Sequence, residues 1–78
     1  MQRYFFDTYD GDKLLPDEIG VELADLDEAE RELARSLPAM AQETFPKSDH
    51  REFAVRVRDD EGKTVLKAAL TLVMERTA

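Results

Sequence analysis

Seventy-eight residues, 42% hydrophobic and 37% charged, make one domain with a thin core and are too apolar for a wholly disordered chain. The net charge of −7 sets the chain against nucleic-acid backbones at long range, and the absence of cysteine removes disulfides, thiolate catalysis and cysteine-held metals. No stretch approaches the roughly 18 apolar residues of a membrane span, and MQRYFF lacks a signal peptide's apolar run, so the chain reads as cytoplasmic with no membrane partner.

The charge is uneven. Residues 7–32 hold eleven acids against Lys13 and Arg31, a balance of −9, and the remainder comes to +2. The acidic half is compatible with a basic protein surface, and solubility explains it equally well.

In chain order, Met1 to Tyr9 carries aromatic residues suited to a strand, with Tyr4, Phe6 and Thr8 on one face and Phe5, Asp7 and Tyr9 on the other. Asp10-Gly11 signals a hairpin turn. KLLP, residues 13–16, supplies a short returning strand, which Pro16 ends or confines to an edge. Residues 17–24, with Gly20 and a brief Val21-Glu22-Leu23 alternation, form a connector or a short extended piece.

Asp25 then reads as a helix N-cap, with Glu28 in the capping-box position. Leu26, Ala29, Leu33, Leu37 and Met40 or Ala41 recur at helical spacing as one apolar stripe. Acids crowd the first turns, where the helix dipole favours them. Pro38 predicts a kink in a helix that reaches about Glu43, stopped by Phe45-Pro46 before a polar loop from Lys47 to Arg51.

The last third alternates strictly. Phe53, Val55 and Val57 share one face of a strand, and Glu52, Ala54, Arg56 and Arg58 share the other. After the DDEGK turn, TVLKAALTLVME predicts a second strand with Leu66, Ala68, Leu70, Leu72 and Met74 on its core face. The whole chain, 1–78, is therefore expected to be a single α+β domain with its core over about 3–75. One amphipathic helix packs on one face of a small, mainly antiparallel sheet in β-β-α-β-β order, the second strand short and weak.

Signals for chemistry are thin. Asp7, Asp10 and Asp12 match calcium-loop spacing only in part, since Gly11 separates Asp10 from Asp12 and the later ligands fall out of register. His50, the sole histidine, neighbours Asp49, but neither Ser36 nor Ser48 is recognisably placed as its nucleophile. Glu22, between Val21 and Leu23, is the nearest approach to a carboxylic acid in an apolar setting, and a poor one. GxxxxGK[ST], GxGxxG and HExxH do not occur. The expectation is no catalytic residue, no metal and no cofactor.

The sheet face away from the helix is more informative. It presents Phe5 and Tyr9, Arg56 and Arg58, and Val65, Lys67, Ala69, Thr71 and Val73. Aromatics interleaved with arginines suit stacked bases and phosphates, as on sheet-surface RNA binders, and suit a protein interface equally. The acidic net charge and the valine-rich last strand favour protein. The resulting expectation is a non-catalytic domain acting as a homodimer or through another protein partner. Phe5, Tyr9, Val65, Ala69 and Val73 form the surface, with Arg56 and Arg58 at its rim. Nucleic-acid binding by the same face is one alternative, and a small enzyme or metal-binding domain with an acidic cleft is another.

Three segments also resemble a known family: RYFFDTYDG at 3–11, PDEIGVEL at 16–23 running into DLDEAERELA at 25–34, and FAVRVRDDEGKTVLKA at 53–68. Together they resemble the bacterial family called domain of unknown function 6894, common in rhizobia and their relatives. Arg3 to Phe6 match its opening, Asp10 and Gly11 its turn, Gly20 and Leu23 its pre-helix segment, and Asp60, Gly62 and Val65 its final hairpin. Where members often carry histidine after the aromatic run, this chain has Asp7. The resemblance implies a domain boundary and no activity. A fainter, fold-level similarity links the glycine, acidic pre-helix stretch and alanine-rich helix to the N-terminal domain of HicB-type antitoxins, without their DNA-binding extension.

Overall fold

A computed structural model describes residues 1–44 and 52–77. Strand β1, Gln2–Asp10, turns at Gly11 into β2, Lys13–Leu15, and a third short strand, β3, spans Val21–Leu23. Helix α1 runs Leu26–Thr44, and the hairpin of β4, Glu52–Arg58, and β5, Thr64–Thr71, completes the chain. The expected stop at Phe45-Pro46, the loop from Lys47 to Arg51, and His50 lie outside the described residues.

All pairings are antiparallel, in the order β2-β1-β4-β5, with β3 also on β1. Of the connector or short extended piece expected over 17–24, Val21–Leu23 is a strand. Thr8 faces Leu15 and Tyr4 faces Val21, so four steps along β1 are matched by six along the returning chain. β2 and β3 are two halves of one edge strand, interrupted by a two-residue surplus between Pro16 and Gly20. Pro16, which cannot donate to a ladder, begins the interruption.

Asp25 caps α1, its Oδ1 accepting the Glu28 N–H at 2.9 Å, while Glu28 Oε2 accepts the Ala24 N–H at 2.9 Å. The reciprocal bond falls one residue earlier than in the standard capping box. The helix continues through Pro38, which sits on its exposed side. Ala29, Leu33, Leu37 and Ala41 are buried against Tyr4, Leu23, Phe53, Val55 and Val57, with Met40 packed alongside. Leu26, expected in the stripe, is 41% exposed at the helix start.

Two expectations about the last strand fail. Val57 faces Leu66 but Arg58 faces Thr64, so Val65 is an extra residue at a bulge. A bulge inverts the alternation locally, and Val65 packs against the core cluster rather than projecting from the open face. β5 also ends at Thr71, and residues 72–77 pair with no strand of the described residues. Val73 therefore lies beyond the sheet, and Met74 is 67% exposed instead of buried in the core.

Candidate functional site: a buried carboxylate beneath two arginines

On the sheet face away from α1, Asp7 of β1 lies opposite Arg56 of β4, and Phe5 lies opposite Arg58. Asp7 is fully buried, although it sits on the face expected to be open. Its two oxygens accept five hydrogen bonds. Oδ2 takes Arg56 Nε at 3.1 Å, Arg56 Nη2 at 2.9 Å and Arg58 Nε at 2.5 Å, while Oδ1 takes Arg58 Nη2 at 3.0 Å and the Asp17 N–H at 2.8 Å. Two forked guanidiniums thus converge on one carboxylate.

The interrupted edge closes over this centre. Asp17 Oδ2 accepts the Phe6 N–H at 3.1 Å, standing in for the ladder partner that the interruption removes, and Oδ1 accepts the Ile19 and Gly20 N–H groups at 3.0 Å each. The Asp17 carbonyl accepts Arg58 Nη2 at 3.1 Å. Gly20, at φ +74°, presses on the Phe5 ring, where an added Cβ would stand 2.9 Å from Cε1. Close approach and positive φ both require glycine there.

Burial pushes the Asp7 carboxyl upward. The hydrogen bonds from Arg58, the Asp17 N–H and Arg56 outweigh it and hold the group at about 2. Asp17 is likewise lowered: burial opposes ionisation, and the Gly20, Phe6 and Ile19 N–H groups more than compensate. The bond to Asp7 raises Arg58. A carboxylate ionised at every physiological pH, with both oxygens occupied, cannot shuttle protons. It is an anchor for cations.

The guanidiniums lie over the aromatics, Arg58 5.0 Å from the Phe5 ring centroid and Arg56 5.8 Å from that of Tyr9. Beside them a shallow, open depression of ≈ 510 Å³ is lined by Tyr9, Ala54, Arg56, Lys67 and Ala69, among others. Phe5, Tyr9, Arg56, Arg58 and Ala69 therefore share one face, on which the two arginines converge on Asp7. Val65 and Val73 do not join them. Of the three acids with calcium-like spacing, Asp7 is engaged by two arginines, Asp10 ends β1 and Asp12 lies in the hairpin turn. Among the described residues no group of three or more potential metal ligands gathers. Glu22 is exposed and lies 3.5 Å from Arg3, and the Ser36 hydroxyl donates to Glu32.

Sequence reasoning missed the roles of Asp7 and Asp17. For Asp17 a signal existed: Pro16-Asp17 followed by Gly20 fits an Asx turn, whose carboxylate binds N–H groups two and three residues on. For Asp7 the cross-strand pairing of an acid with alternating arginines was visible only once a register was known.

The family model for a domain of unknown function, DUF6894, matches residues 3–71. The chain belongs to the DUF6894 family. The matched span of this DUF6894 domain runs from the residue after the start of β1 to the last residue of β5, so it takes in every residue of the arginine–carboxylate centre. No curated protein and no solved structure matches the chain. Among the described residues, no helix is long and apolar enough to cross a membrane.

Proposed function

We propose that this domain is a non-catalytic protein-binding module whose open sheet face receives an acidic segment of a partner protein. The observation that carries this is the fixing of Arg56 and Arg58 by buried Asp7, which holds two cations rigidly in place on a chain of net charge −7. Asp7 and Asp17 together bring two negative charges to the three cations Arg56, Arg58 and Lys67. The Nη1 group of each arginine has no acceptor among the described residues. A pre-ordered guanidinium loses little freedom on meeting a carboxylate. The alanine floor of the depression, Ala54 and Ala69, leaves space for a partner's side chains.

The stacked geometry argues against reading bases. The guanidiniums already cover the Phe5 and Tyr9 rings that a nucleotide would stack on. Capture from native extract with the wild-type chain and with Ala54→Glu, which places a carboxylate in the depression, tests the proposal. Bound proteins are expected to disappear with Ala54→Glu and to elute as salt is raised. An unchanged set of bound proteins, or retained oligonucleotides in their place, would refute it.

A further inference from the structure

β5 is the last strand of the sheet, and no strand of the described residues pairs with its outer side. Neither proline nor glycine blocks that edge, and the one charge in its middle is Lys67. An edge left in this state is a template for another strand. Beyond it, Leu72-Val73-Met74-Glu75 pairs with no strand of the described residues, and Val73 is 79% and Met74 67% exposed.

We propose that a second copy of this chain pairs antiparallel with residues 66–76 about a two-fold axis at Thr71, joining two sheets edge to edge. Charge selects this register. With the axis at Thr71, Lys67 faces Glu75 of the second copy. Shifting the axis to Leu70 sets Lys67 against Val73, and shifting it to Leu72 sets it against Thr77, so of these only the Thr71 axis gives Lys67 an acid, with Arg76 opposite Leu66 at the end of the ladder. Directly opposed residues share a face, and here the faces agree. Leu70 meets Leu72 and Ala68 meets Met74 on the helix side, while Ala69 meets Val73 on the open side. The apolar residues left without cover in the single chain acquire it, and the interface is self-complementary, as a closed dimer demands. The two depressions, each lined by Lys67 and Ala69, flank the seam and give a two-site surface. This edge contact shares Lys67 and Ala69 with the open-face proposal but uses neither Ala54 nor an acidic partner, so Ala54→Glu is expected to leave it intact.

The chain has no cysteine, so Thr71→Cys introduces a single thiol. In an antiparallel pair its Cα would lie about 4.5–5.5 Å from its counterpart, within disulfide range. Mild oxidation is expected to yield a covalent dimer with Thr71→Cys and none with Thr64→Cys, which lies on β5 far from the axis. By sedimentation, Lys67→Glu and Glu75→Lys are each expected to weaken the dimer by roughly tenfold, and their combination to restore it. A wild-type chain that stays monomeric at millimolar concentration would leave the edge to a strand of some other protein and overturn the proposal. A dimer that Thr71→Cys fails to trap, or that the double variant fails to restore, would overturn it as well.

Discussion

Replacing Asp7 with asparagine keeps the size of the side chain and removes the charge on which Arg56 and Arg58 converge. Two partly exposed guanidiniums, with Asp17 still near Arg58, would then lose their buried counter-ion; breaking a fully buried pair costs about 3–5 kcal/mol, which is the upper bound here. The ionisation of Asp7 supplies an independent figure. Its carboxyl lies at about 2 in the folded chain against an ordinary 3.8, and each unit corresponds to about 1.4 kcal/mol, so the charged form contributes roughly 2–3 kcal/mol above pH 4. The two figures meet near 3 kcal/mol. For a chain of this length, with a total stability of about 4–12 kcal/mol, that loss is severe. Urea denaturation of Asp7→Asn is expected to show a midpoint lower by about 2–3 M at a slope near 1 kcal/mol/M.

The acid limb gives a second readout of the same residue. Because the folded carboxyl is the more acidic, the unfolded chain binds the extra proton as pH falls from about 4 to 2. The contribution is whole above that window and is lost through it. Wild-type stability should therefore fall more steeply there than that of Asp7→Asn. A loss below 1 kcal/mol at pH 7, or equal acid slopes in the two proteins, would show that the arginines find other partners and that Asp7 does not organise this face.

Gly20 and Gly62 both have positive φ, +74° and +83°, but only Gly20 is crowded. Gly62→Ala should cost about 1 kcal/mol, the backbone penalty alone, while Gly20→Ala should cost at least twice that, since Phe5 and Arg3 must shift; equal thermal shifts would remove the crowding argument. Asp17→Ala frees the Phe6, Ile19 and Gly20 N–H groups together. The Phe6 amide is expected to lose its hydrogen-exchange protection while the Val55 and Val57 amides keep theirs, and unchanged Phe6 exchange would mean that water or another group satisfies it.

The wording of the sequence was enough for the elements that local chemistry dictates. Asp25 with Glu28 marks the start of α1, the spacing of Ala29, Leu33, Leu37 and Ala41 marks its buried stripe, and Phe53, Val55 and Val57 mark the core face of β4. These depend on period and on neighbours a few residues apart. What only the folded arrangement decided depends on contacts between distant segments. The bulge that turns Val65 inward arises from the offset between β4 and β5. The commitment of Asp7 to arginines 49 and 51 residues away, with Asp17 closing a broken edge over it, follows from register. A carboxylate's chemistry is set by which donors reach it, and no local pattern around Asp7 names them.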